Sequence, residues 1–286
     1  MGAQSSRIGQ LTSWLYIIGT MDPSYLTGAT MGIHPAAKRA LWALMLICIT
    51  AGGCAPVADV ESLDTLAEFI VGPARMPGPL TDVSDLLAMR PELRRYRVVA
   101  GNDGRESMTV LISAIDSSDN PSWSTEDSAG RIAILTPLDD GSWITARAED
   151  LSHSATTQYD PPIAVLPAAL DPNQPTTIRA AVRVVSRDDP AMQMDRGTCE
   201  QTIRYEAVQR LRTPAGTFDC HRLRVDYTAD LNLAKVHQQS WRFLSPDVGL
   251  VAEVSNEQVT ALLLGWTTQR TMVLESVQST VIAAPH

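Results

Sequence analysis

The sequence predicts a mainly β fold: a strongly curved antiparallel sheet, a half-barrel or open barrel, preceded by one or two short helices. Three observations carry this expectation. From Arg95 onward apolar residues recur at every second position, the period of a strand with one buried face. Asn102-Asp103-Gly104 and Asp139-Asp140-Gly141 punctuate these runs with residues that accept the positive φ of tight turns. The runs follow one another at intervals of about 8–20 residues, too short for the helical crossovers that a parallel sheet needs.

Taken in order, Leu63, Leu66, Ala67 and Ile70 lie at helical spacing over Ser62–Val71, with Asp59 or Ser62 as the cap. The Pro- and Gly-rich run 72–80 ends this helix, and Val83–Leu87 is a second short one. The sheet is expected to begin at Arg94 or Arg95. In Ser107–Ala114 the residues Met108, Val110, Ile112 and Ala114 share one face. The polar stretch Asp116–Gly130 reads as a surface loop, and Arg131–Thr136 and Ser142–Ala148 read as paired strands. Asp160–Pro175 holds five prolines and is expected to be a connection rather than a central strand. Ile178, Ala180, Val182 and Val184 alternate with Arg179 and Arg183. Thr202–Leu211, Phe218–Tyr227, Val236–Phe243, Gly249–Val254, Val259–Trp266 and Thr268–Val277 read as six further strands.

Composition narrows the function. With 44% hydrophobic and 19% charged residues over 286 positions, the chain can bury a core. Its net charge of −9 argues against nucleic acid, which needs a surplus of basic side chains. All but two of the 23 basic residues are arginine, Lys38 and Lys235 being the exceptions, a bias read as codon usage.

Residues Met31–Cys54 carry an address. Lys38 and Arg39 precede the uncharged apolar run Ala40–Ala51, which is shorter than the roughly 20 residues of a membrane-spanning helix. Small residues Ala51, Gly52 and Gly53 follow, then Cys54. This series resembles the signal and lipobox of bacterial lipoproteins. The resemblance implies cleavage after Gly53, a diacylglyceryl group on the Cys54 thiol and acylation of the new N-terminus. Residues 1–30 are set aside as an overlong start, 31–53 as signal peptide, 54–80 as tether and short helix, and 81–280 as the β domain. The leader holds Arg7, Lys38 and Arg39 but only one acid, Asp22, so the mature chain is more acidic still. Cys199 and Cys220 then remain in an oxidising compartment as candidates for a disulfide. A hairpin turning near Ala215 places Cys220 opposite Arg210 rather than Cys199, so a bond needs a bulge or a neighbouring strand, and two separate buried thiols are the alternative.

Catalytic motifs are not found: no Gly-rich phosphate loop, no HExxH, no paired CxxC and no Gly-x-Ser-x-Gly elbow. His153, His221, His237 and His286 have no partner at ligand spacing except Cys220-His221, and adjacent strand residues point to opposite faces. Asp116–Asn120 and Asp139-Asp140-Gly141 lack the closing Glu of a calcium loop. No metal, cofactor or catalytic residue is expected.

Thr213-Pro-Ala-Gly-Thr-Phe218, followed by Val248-Gly-Leu-Val251, is similar to a pattern in periplasmic proteins of unknown function. Tyr159–Pro167 and Ser240–Phe243 extend that similarity to about 100 residues. It implies kinship with half-barrel sheets of the lipoprotein-carrier type, whose concave face holds lipid or acyl chains. On that reading Leu223, Val225 and Tyr227 on one strand and Trp241 and Phe243 on the next line the ligand face, ordinary core packing being the alternative. The expected role is a non-catalytic envelope lipoprotein, anchored to a membrane and facing the periplasm, that binds a lipid or a partner segment. A structural lipoprotein holding another envelope protein is a second reading. A hydrolase whose residues converge from separate loops is a third.

Cys54→Ala should leave unprocessed or soluble material, since two or more acyl chains are needed for stable anchoring. Cell fractionation with N-terminal sequencing checks this: a variant still cut at residue 54 and still in the membrane overturns the lipoprotein reading.

Overall fold

A computed structural model describes residues 63–115, 121–261 and 264–280. The leader, Gly53, Cys54 and Asp116–Asn120 lie outside the described residues. The described chain holds twelve strands, β1 (Glu92–Gly101), β2 (Ser107–Ile115), β3 (Ser122–Asp127), β4 (Arg131–Pro137), β5 (Trp143–Asp150), β6 (Ala155–Leu166), β7 (Thr176–Ser186), β8 (Gln193–Thr213), β9 (Gly216–Leu231), β10 (Ala234–Ser245), β11 (Gly249–Ala261) and β12 (Leu264–Ser279). Each pairs antiparallel with its neighbours in sequence, and β1 also pairs with β12, from Glu92↔Ser279 to Gly101↔Arg270. The expected curvature therefore runs through to closure: the sheet is an up-and-down barrel rather than a half-barrel. Closure removes both edge strands.

Alternation assigns the faces. Tyr96, Met108, Ile112, Val182, Val184, Leu223, Val225, Tyr227, Met272 and Leu274 are buried and point into the lumen, as the period of two predicted for β2 and β7. The outer wall carries ion pairs such as Arg179–Glu200 at 2.6 Å, Arg95–Glu275 at 2.9 Å and Lys235–Asp230 at 3.3 Å. A lipid-facing barrel wall carries an apolar band about 25 Å tall, and these pairs put charge on the outer face instead.

Several sequence expectations shift. β3 (SWSTED) has Trp123 as its one apolar side chain, and its pairing with β2 and β4 makes it a strand. β6 runs through Pro161 and Pro162, against the expected connection. Its ladder with β7 ends at Asp160↔Ala181 and its register with β5 slips between Gln158↔Arg147 and Ile163↔Thr145. The prolines thus sit where the β7 ladder has ended and the β5 register slips, and no ladder pair is formed at either of them. Val259–Trp266 is not a separate strand: β11 ends at Ala261 and β12 starts at Leu264.

The two expected helices are both short 3-10 turns, Leu63–Phe69 and Ser84–Leu87. The first lies on the outer wall, where Leu66 and Phe69 pack with Leu211, Cys220, Trp241, Phe243 and Val254. Beyond it the chain runs along β8, which extends past the end of its ladder with β7 at Thr176↔Ile203. The Val71 N–H donates to the Arg210 carbonyl, and Arg75 and Val208 exchange two backbone bonds, capping the otherwise unpaired β8 edge. The chain then turns into the barrel mouth, and Val83, Leu86 and Leu87 become part of the interior core with Trp143, Leu166, Tyr205, Leu223 and Leu244.

The hairpin Thr213–Phe218 is a two-residue reversal with Thr213↔Gly216 paired and Gly216 at φ 145°. The register places Cys220 opposite Gln209, one position from the expected Arg210. Phe218 is only half-buried, so its truncation costs less than a full core deletion. Phe218→Ala should lower stability by about 1–3 kcal/mol. Gly216→Val should destabilise by at least about 1 kcal/mol, because its φ disfavours a β-branched residue and an added Cβ would meet the Phe218 ring at 3.3 Å. Urea melts check both, and parent-like midpoints would mean that the hairpin is a free loop.

Candidate functional site: a charged and apolar cavity in the lumen

Twelve strands enclose a wider lumen than the roughly eight whose own side chains fill a barrel. Around β6–β9 the lumen is packed, by Tyr159, Val182, Val184, Tyr227 and Val236 towards one end and by the inserted turn Ser84–Leu87 at the other. On the β1–β5 side a cavity of ≈ 190 Å³ remains. Its apolar walls include Leu87, Tyr96, Met108, Val110, Ile112, Leu244, Leu250 and Met272.

The inserted turn is tied from below. Arg94 is only 3% exposed, and its guanidinium donates to the carbonyls of Leu87 at 3.2 Å and Ala88 at 2.8 Å. Its Nε donates to Glu92 at 2.6 Å, and Glu92 also accepts from Arg90 Nε at 2.6 Å. The Trp143 indole N–H donates to the Ser84 carbonyl at 3.2 Å from the opposite wall. Gly249 has no room for a side chain: an added Cβ would meet the Leu87 carbonyl oxygen at 2.4 Å and Arg94 Nη1 at 2.5 Å. Tyr96, whose hydroxyl donates to the Leu250 carbonyl at 3.1 Å, has its pKa raised by burial.

Further charges line the cavity away from this turn. On one rung Arg242 Nε donates to Glu253 Oε1 at 3.3 Å, and Glu253 stands opposite Met272. Nearer the β1–β2 and β3–β4 turns, Arg131 is ion-paired with Asp127, its Nε donating at 2.6 Å. Arg270, 3% exposed and in register with Gly101 at the end of β1, donates Nη1 to the Met108 sulfur at 3.5 Å. Arg131 Nη2 approaches the same sulfur at 3.8 Å. The nearest ion-pair partner of Arg270 is Glu253 at 3.8 Å, and its Nε is buried without a hydrogen-bond acceptor among the described residues. Burial first, and then the charge of Arg131, pulls its pKa below the usual guanidinium value.

The sequence-predicted ligand residues lie elsewhere. Leu223, Val225 and Tyr227 face the lumen but in its packed part. Trp241 and Phe243 stand opposite Arg224 and Arg222, on the outer face beneath Leu66 and Phe69. The five were grouped by strand proximity, whereas alternation puts the two sets on opposite sides of one sheet. None of them lines the cavity. Cys199 and Cys220 are free thiols rather than a disulfide: Cys199 faces the lumen opposite Ala229, and Cys220 lies under the outer helix. Burial raises both thiol pKa values, that of Cys220 to about 12, which leaves little thiolate. His221 bonds the Tyr205 hydroxyl through Nδ1 at 2.6 Å, away from Cys220. Asp140 caps its own turn by accepting from the Ser142 backbone N–H and hydroxyl.

Arg94, Arg131 and Arg270 were not singled out from the sequence, because alternate charges in a strand ordinarily mark the wet face. The available signal was parity: Arg94 shares a face with Tyr96, and Arg270 shares one with Met272 and Leu274.

Arg94→Met should release the inserted turn and leave Glu92 buried with a half-exposed partner. Losing one partner of a buried pair costs about 3–5 kcal/mol. Urea denaturation should show that loss, and hydrogen exchange should quicken at residues 84–89. Unchanged exchange there would mean that the turn holds by apolar packing alone.

Neither a family model nor a curated protein matches the chain. Similar solved structures include a Bacteroides fragilis protein described as having a YmcC-like fold, with 12% identity and a TM-score of 0.39, covering 72% of this chain and 100% of that one. A Parabacteroides distasonis protein provisionally named a lipoprotein has 13% identity and a TM-score of 0.37, with the same coverage of 72% and 100%. The hypothetical lipoprotein YmcC of Escherichia coli has 10% identity and a TM-score of 0.35, covering 65% of this chain and 87% of that one.

Proposed function

We propose that this is a non-catalytic, lipid-anchored protein of the cell envelope, facing the periplasm, whose barrel lumen holds a small hydrophobic ligand. The observation that carries the reading is the cavity of ≈ 190 Å³ left between Tyr96, Met108, Ile112, Leu244, Leu250 and Met272 in an otherwise packed lumen. An apolar cavity of about 150 Å³ is enough to take benzene. The ligand is therefore of that order of size, far smaller than a diacyl lipid. A partner segment fits less well than a ligand, because the chain itself occupies both places where such a segment would dock. Leu66 and Phe69 cover the apolar outer patch, and Leu86 and Leu87 fill the mouth. Anchoring through Cys54 would leave the polar outer wall in water and the lumen available to small molecules of the periplasm.

Native mass spectrometry of the full chain, released from lipid nanodiscs, tests this. The expected result is a non-covalent adduct of roughly 100–200 Da, a mass suited to a cavity of this order, that is lost on collisional activation. Ile112→Trp, which fills the cavity, should abolish it. An adduct that survives the substitution, or a bare mass that does not change on incubation with small aromatic compounds, overturns the lumen site.

A further inference from the structure

One end of the barrel carries bare leucine. Leu264 is 69% exposed at the β11–β12 turn, and Leu233 is 39% exposed at the β9–β10 turn. The two turns are neighbours, since Ala234 and Ala261 are register partners at their bases. The β11–β12 hairpin also projects: β12 continues past its last rung with β1, Gly101↔Arg270, to Leu264, which pairs with Ala261. From Gln258 to Gln269 the sequence holds no charged residue. A single exposed leucine is ordinary, but two on adjacent, projecting turns make a patch. The other turns of this end hold or adjoin acids, Asp103, Asp127, Asp150 and Asp189, which would be costly to take out of water.

The tether says what covers the patch. Thr65 Oγ1 lies 2.8 Å from Thr271 Oγ1, so the strap meets β12 between its two ends. From Thr271 to Leu264 is about 23 Å of strand at roughly 3.3 Å per residue. The segment from Cys54 to Leu63 spans up to about 30 Å when fully extended. Acyl chains on Cys54 are therefore within reach of the level of the leucine turns. The plugged end is also within reach, but its turns hold Asp139, Asp140 and Asp247. The charge pattern thus selects the leucine end.

Resting on the lipid-anchor reading above, we propose that the β9–β10 and β11–β12 turns dip into the same bilayer that holds the Cys54 acyl chains, with Leu233 and Leu264 seated among the upper acyl carbons. The inserted turn Ser84–Leu87, which meets Gly249 at the opposite end of β11, then faces away from the membrane. Lys235, beside Leu233, is 73% exposed and paired with Asp230 at 3.3 Å. A lysine there keeps its ammonium at the level of lipid phosphates while its stem lies along the apolar surface. Full burial of one leucine corresponds to roughly a ten- to hundredfold gain in partition. Two leucines therefore orient a chain that its acyl groups already hold.

Nitroxide labels on the lipidated full chain, in phosphatidylethanolamine–phosphatidylglycerol vesicles, test this orientation. Leu264→Cys and Leu233→Cys carry the label on the two turns, and Leu138→Cys carries it on an exposed turn at the plugged end. Cys199 and Cys220 are buried and compete poorly for the label. Labels at 264 and 233 should gain collisions with oxygen, which concentrates in lipid, and lose collisions with a water-soluble nickel chelate. The label at 138 should do the reverse. If all three positions stay open to the chelate while the chain floats with the vesicles, the leucine contact is overturned and the anchor stands. If both reagents are shut out at 264, a protein surface covers the turn and the bilayer contact is again overturned. If the chain does not float, the anchor reading falls and this proposal falls with it. The two leucine labels sit on separate hairpins, so a misfolded variant of one leaves the other to decide.

Discussion

The pairing of β1 with β12 is the constraint on which the remainder of the structure depends. It closes the sheet, and closure at twelve strands creates a lumen that the inward side chains cannot fill by themselves. An empty apolar lumen would forfeit dispersion contacts along its lining, and each unfilled volume would cost stability. The chain answers by sending its own N-terminal strap inside. The strap packs on the outer wall at Leu66 and Phe69, pairs with the overhanging edge of β8, and ends with Leu86 and Leu87 in the mouth. One continuous segment thus covers an outer apolar patch, caps a strand edge and plugs the barrel.

Arginines in the lumen follow from the same geometry. Carbonyls of a turn inserted into a barrel have no ladder to join, and an unpaired buried carbonyl is costly. Arg94 supplies donors for two of them and is itself neutralised by Glu92. A guanidinium does this better than an ammonium, because its donors diverge in a plane and can serve a carboxylate and two carbonyls at once. Buried ion pairs add little net stability but make disruption expensive, so they specify one arrangement of the turn. Arg270 differs in kind from Arg94: it is just as buried, yet its Nε has no hydrogen-bond acceptor among the described residues.

The legibility of the sequence followed the range of the interactions. Local periodicity located most strands and both short helices, and the inward face of β2 and β7 was correct residue by residue. Three features depended on pairing and were not legible. β3 has a single apolar side chain, Trp123, too little for an alternating pattern, and it is a strand because β2 and β4 flank it. The proline pair of β6 reads as a break until the end of the β7 ladder at Asp160 and the slip in register with β5 are known. Closure itself requires β1 and β12 to meet across more than 160 residues, and no local signal encodes that. At the site, Leu223, Val225 and Tyr227 were recognisably lumenal, but which lumenal residues pack and which leave space depends on where the strap enters. Trp241 and Phe243 were misassigned for a simpler reason. Their register partners are Arg224 and Arg222, so they belong to the other side of the sheet.

The two faces of the barrel therefore serve different solvents. Cross-strand ion pairs such as Arg179–Glu200 and Lys235–Asp230 place charge on the outer wall, whereas most lumenal positions are apolar. The Leu63–Phe69 turn lies on that same wall and is joined through the strap to the plug, so the segment leading from the proposed anchor is also the one that closes the lumen. Tension or release along that segment would act first on the bonds between Arg94 and the Leu87 and Ala88 carbonyls. Those bonds border the apolar end of the cavity, whereas Arg270 borders its charged end beside the far turns. Any movement of the strap would thus alter the room at the apolar end of the cavity first.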